Sequence, residues 1–151
     1  MTVTLNPATV ANSIAAISIS GVTMLDIDQI PQSGSLITPV LFPQPGGWLS
    51  DIAPTRESFG TGASGAINFM YTLHYVFLFA EAGSGLSQLD NISPLVAKLK
   101  LILEALLTND VLTGLVDMMP AGVEGLGIVQ DPSGNQYWGA LFSLRCLEFA
   151  Q

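Results

Sequence analysis

The sequence predicts an α+β fold: a mainly antiparallel sheet with a very long central strand and two helices packed on one face. Three observations point there. Ala66 to Ala80 alternates with period two, and its odd positions are Ile67, Phe69, Tyr71, Leu73, Tyr75, Phe77 and Phe79. A strand sends alternate side chains to opposite faces, so this stretch presents one aromatic and aliphatic face and one mixed face. Two other stretches, opened by Asn6-Pro7 and Ser93-Pro94, have helical spacing and an N-cap followed by proline. The last third reads as a hairpin, so strands lie on either side of the second helix, as in α+β domains.

In the first helix Leu5 can staple against Val10 across the Asn6 cap. Val10, Ile14 and Ile17 follow as one apolar stripe, and Gly21 is placed to end it in left-handed geometry. Val22 to Ile27 reads as a short strand, with Asp26 and Asp28 on one face of the extended chain as solvated charges. Leu36 to Phe42 reads as a further strand, which Pro39 confines to an edge or splits. Pro43 to Gly65 reads as a long loop. Such loops are functional or disordered, and Trp48, Leu49 and Phe59 argue that this one docks, with Asp51, Arg56 and Glu57 as its charges.

The strand Ala66 to Ala80 would be roughly 50 Å long at 3.3 Å per residue, beyond the usual range, so part of it is expected to project past the core. The second helix buries Leu95, Leu99, Ile102, Leu103 and Leu106, and keeps Lys98, Lys100 and Glu104 on a wetter side. Val111 to Met118 is ambiguous between helix and strand. Val123 to Gln130 and Gln136 to Phe149 then flank the turn Asp131-Pro132-Ser133-Gly134-Asn135. Trp138, Ala140, Phe142, Leu144 and Cys146 share one face of the final strand. Arg145 lies on the other, at a rim.

Composition narrows function by exclusion. The 151 residues suit a single domain, 1–151, yet 49% are hydrophobic and only 11% charged, too few charges to cover a monomer's surface. The charge-free runs Met1–Leu25 and Ser58–Ala80 contain Asn, Pro, Gly or His, and neither is a continuous apolar helix. Met1–Leu25 also lacks a basic n-region. Burial by other subunits is therefore expected in place of a membrane. Net charge −8 with four cations argues against gripping a phosphate backbone. The lone Cys146 excludes an intrachain disulfide framework.

No catalytic, metal or cofactor constellation is expected. Gly60 to Gly65 spells G-x-G-x-x-G, but a loop precedes it and a strand follows, so no helix N-terminus awaits a pyrophosphate. His74, the single histidine, and Cys146 are too few to hold zinc. A serine could approach His74, but the sequence offers no G-x-S-x-G elbow and no third partner, so a hydrogen-bonded structural histidine is expected.

The succession VANSIAAISISGVTMLDIDQIP, the proline loop, YTLHYVFLFAEAGSG, the helix, and GIVQDPSGNQYWGALFSLRCLEF resembles the tailed-phage neck proteins, and within them the tail terminator (tail completion) family of long-tailed phages. Its most telling parts are Tyr71, Leu73 and Tyr75, the Gly83-Ser84-Gly85 turn and the DPSGNQ hairpin. The resemblance implies a structural, non-enzymatic virion protein: a homo-oligomeric, hexameric ring that ends the tail tube and joins it to the head connector. Genomic DNA would pass through its lumen without specific binding, and assembly would occur in the host cytoplasm. It supplies no catalytic residues. Trp48, Asp51, Arg56, Glu57, Phe59, Tyr75, Phe77 and Phe79 are expected at subunit or ring–ring contacts. Two alternatives stay open: another neck protein of the head-completion or stopper type, and a small-ligand module using the aromatic sheet face as a pocket.

Overall fold

The computed structural model describes residues 7–30, 37–56, 67–82, 88–108, 116–131 and 133–148. In chain order these form α1 (Pro7–Ala15), β1 (Thr23–Met24), a 3-10 turn (Ile27–Gln29), β2 (Val40–Pro43), β3 (Leu49–Arg56), β4 (Ile67–Glu81), α2 (Gln88–Thr108), β5 (Val116–Gln130) and β6 (Gln136–Glu148). The fold is α+β. One six-stranded sheet runs β1-β2-β4-β6-β5, with β3 pairing β4 as well. Every pairing is antiparallel except β1 with β2, which makes the sheet mixed.

The long strand is present as β4, and it is paired along both edges and does not stand alone. Its one edge is paired to β6 from Phe69 to Glu81. Its other edge is shared, with β3 along Ile67–Leu73 and β2 along Tyr75–Leu78. Length is used here to carry two short neighbours end to end, which satisfies the backbone of a strand that would otherwise stand bare.

Both helices lie on the odd-numbered face of β4. Val10 and Ile14 from α1, and Leu95, Leu99, Ile102 and Leu106 from α2, pack against Tyr71, Leu73, Tyr75 and Phe77. Phe142, Leu144 and Cys146 of β6 complete this core, and Tyr75 stacks on Phe142 with ring centroids 5.8 Å apart. The aromatic face is therefore filled by helices and is not an open pocket. Phe69, nearer the start of β4, lies beyond their cover and is exposed. A smaller cluster of Val40, Phe42, Val76, Leu78 and Tyr137 occupies the opposite face, with Leu25 and Ile30 packed on it.

Several boundaries differ from the sequence reading. The helix α1 ends at Ala15, well before Gly21, because Ile17 N–H turns back to the Ile14 carbonyl at 3.0 Å. From there burial alternates, Ile17 and Ile19 inside and Ser18 and Ser20 outside, as suits an extended β-branched run. Gly21, at φ +76°, instead turns the chain between the bridged Ile19 and Val22. Asp26 is not a strand-end charge. Its carboxylate accepts from Ile27 N–H at 2.7 Å while Gln29 Oε1 accepts from Asp26 N–H at 2.8 Å, a capping box on the 3-10 turn.

The expected loop Pro43–Gly65 is in part a strand. Leu49–Arg56 forms β3, hidden from periodicity by Pro54 and by a bulge between Ser50 and Ala53. The helix α2 begins at Gln88, so Pro94 lies inside it near the start and Ser93 is not the cap. Lys98 is more than a solvated charge, since its ammonium donates to the Ser20 carbonyl at 3.3 Å and ties α2 to the segment after α1. Residues 116–118, left ambiguous by the sequence, belong to β5. Asn6, Gly83 to Gly85 and the glycines from Gly60 to Gly65 lie outside the described residues. No helix among the described residues is long and apolar enough to cross a membrane.

Candidate functional site

The second face of the sheet changes character along its length. One end is the apolar cluster around Val76 and Leu78. The other is polar, carrying Ser50, Thr72, His74, Ser143 and Arg145. Cross-strand register brings these together: Ser50 pairs with Thr72, Thr72 with Arg145, and His74 with Ser143. Directly opposed residues on one face lie within side-chain reach.

His74 is held at this point by its backbone. Its N–H donates to the Trp48 carbonyl at 2.8 Å, and its carbonyl accepts from Gln44 N–H at 2.9 Å. The imidazole lies between two partners. Nε2 is 2.6 Å from Ser50 Oγ, and Nδ1 is 3.8 Å from Glu124 Oε1. Ser143 Oγ donates to the same Glu124 oxygen at 3.2 Å. A carboxylate only accepts, so Nδ1 is the favoured seat of the ring proton, which leaves Nε2 to accept from the Ser50 hydroxyl. The His74 side chain is 19% exposed and that of Glu124 52%, so one end of the chain is sheltered and the other wet.

Ser50 sits at the bulge of β3. The next residue, Asp51, has φ +57°, left-handed geometry that a non-glycine residue adopts seldom. Its carboxylate lies 3.4 Å from Ser50 Oγ, a longer contact than that to His74. A cleft of about 320 Å³ opens beside it, lined by Asp51, Ile52, Met70, Thr72 and Arg145. A second cleft, of about 500 Å³, lies between the 3-10 turn and Pro43–Leu49, with Trp48 in its wall.

The residues expected at contacts divide. Tyr75 and Phe77 are buried at 2% and 0% exposure within the chain's own core, so no partner can reach them. Trp48 and Phe79 are partly buried against that core. Asp51 is exposed at the bulge, and Arg56 ends β3, where the backbone pairs with Ile67. Glu57 and Phe59 lie outside the described residues. The structure adds a feature the sequence did not single out. The outer edge of β5 has no partner strand among the described residues, and Val123, Leu126 and Ile128 are 44%, 41% and 50% exposed along it.

Burial perturbs three groups in the main core. The Tyr75 hydroxyl is pushed far up, chiefly by burial and further by Cys146 and Asp26. Tyr71 rises likewise, by burial first and then through the nearby Glu148 carboxylate, with which it makes no well-formed hydrogen bond. Burial, followed by Glu148, pushes the Cys146 thiol up to about 12. Among the described residues no group of three or more His, Cys, Asp or Glu side chains is placed to hold a metal ion.

Comparison of the chain with protein-family models and with curated proteins finds no match in either.

Proposed function

We propose that the chain is a structural subunit of a tailed-phage neck. In this reading it forms a homo-oligomeric, hexameric ring that ends the tail tube and joins it to the head connector, with DNA passing through the lumen. The observation that carries the reading is the outer edge of β5. A strand of 15 residues whose outer edge meets no partner strand among the described residues, with exposed Val123, Leu126 and Ile128, is a template for association. A contact between one subunit's edge and a different surface of the next is heterologous, and closes into a ring when the rotation allows. The charge-poor composition supports the same reading, because a ring subunit buries both flanks. Net charge −8 suits a channel that must release DNA and not hold it.

The test is electron microscopy of the purified protein, alone and after incubation with isolated tail tubes. Rings with an open centre, free or capping tube ends, support the reading. Isolated subunits that leave tube ends bare would refute it.

A further inference from the structure

Ser50, His74 and Glu124 stand in the order hydroxyl, imidazole, carboxylate, each from a different strand: β3, β4 and β5. The Ser50 hydroxyl has one proton and two acceptors in reach, His74 Nε2 at 2.6 Å and Asp51 Oδ2 at 3.4 Å, and the shorter contact takes it. Glu124 faces the far ring nitrogen at 3.8 Å, and Ser143 donates to that same carboxylate oxygen. A hydroxyl aligned on a neutral imidazole, whose second nitrogen faces a carboxylate, is the arrangement that makes serine nucleophilic. The left-handed Asp51 directly after Ser50 is local strain of the kind that gathers at reactive sites. The nearest cleft is lined by Asp51 and Thr72, the chain neighbour and register partner of Ser50, and not by Ser50 or His74 themselves.

From this geometry we propose that Ser50 is a nucleophile toward carboxylic esters and related acyl electrophiles, with His74 as its base and Glu124 as a positioning residue. Ser50 Oγ attacks the ester carbonyl and its proton passes to His74 Nε2. The bond to the leaving alkoxide breaks, and that oxygen takes the proton from Nε2. Water then attacks the acyl-serine, gives its proton to His74, and releases the acid as the proton returns to Ser50. Glu124, 3.8 Å from Nδ1 and so beyond hydrogen-bond distance, stabilises the transient imidazolium through its charge. The inference needs only one chain and is independent of the ring reading.

The probe is a fluorophosphonate, which serine captures with loss of fluoride, the hydroxyl proton again passing to His74. The folded wild-type protein is incubated with it, and the adduct is located by peptide mass spectrometry. The expected result is an adduct at Ser50 that is absent from urea-unfolded protein and forms at least about 100-fold more slowly in His74→Gln. Glu124→Gln forms the adduct more slowly than wild type at an unchanged urea midpoint, and Glu124→Asp, which keeps the carboxylate, recovers part of that rate. No adduct at Ser50 in folded wild type, or an adduct whose rate is the same in His74→Gln, would overturn the proposal.

Discussion

At the scale of single residues, neighbours on β4 separate burial from function. Phe77 is fully buried and leaves a cavity when truncated, so Phe77→Ala should cost about 3–5 kcal/mol in a urea denaturation curve. Tyr75 is as well buried, but its hydroxyl finds no hydrogen-bond partner among the described residues. Removing an unsatisfied polar group while keeping the ring should leave stability unchanged or raise it by about 1 kcal/mol, so Tyr75→Phe is the contrasting variant. A loss above about 1 kcal/mol in Tyr75→Phe would mean that the hydroxyl is partnered. Alkaline pH tests the same core. Cys146, Tyr71 and Tyr75 all hold their protons more tightly folded than unfolded. Their contribution is thus fully present below the unfolded-state values of 9.0 for the thiol and 10.0 for the phenols, and is lost as pH rises from there toward the folded values. Urea midpoints should hold steady to about pH 8.5 and fall steeply by pH 11, each group adding up to about 1.4 kcal/mol per pH unit. A flat profile across that window would contradict the burial of these groups.

At the scale of elements, the hairpin turn between β5 and β6 is organised by one carboxylate. Asp131 Oδ1 accepts from the N–H groups of Ser133 and Asn135 at 3.0 and 2.9 Å, and Oδ2 from the Tyr137 hydroxyl at 3.1 Å. Asp131 is itself buried, so Asp131→Ala strands several donors and should cost about 2–4 kcal/mol in thermal or urea unfolding. A change within 0.5 kcal/mol, the range of ordinary surface substitutions, would show the turn to be held by its backbone alone. Deeper in β6, a Cβ on Gly139 would run into the Phe77 carbonyl where the β4 register shifts, which is why this position takes glycine.

These elements also show what a sequence reveals. The long strand and the buried stripe of α2 were legible because a single period runs through each. The strand β3 was not, because Pro54 and the Asp51 bulge interrupt its alternation and its regularity comes from pairing with β4. The first half of β5 is obscured in the same way by Pro120, Gly122 and Gly125, and is a strand because β6 lies beside it. No spacing could reveal the Ser50–His74–Glu124 alignment, since strands distant in sequence meet only in the folded sheet.

At the scale of the whole molecule, a chain with only 11% charged residues has little polar surface with which to cover itself. Its aromatic face is covered by its own helices from Tyr71 to Phe77, so the proposed association falls to the edges, and above all to β5. The most direct test is the molar mass of the folded protein by light scattering across micromolar concentrations, with Ile128→Lys measured in parallel. Ile128 is half exposed, so the lysine should leave the melting temperature nearly unchanged while placing a charge in the proposed contact. The proposed ring predicts a hexameric mass built from 15.9 kDa subunits for the wild type, and 15.9 kDa for the variant at the same concentration. A wild type of 15.9 kDa throughout, or an Ile128→Lys variant that assembles as the wild type does, would contradict it.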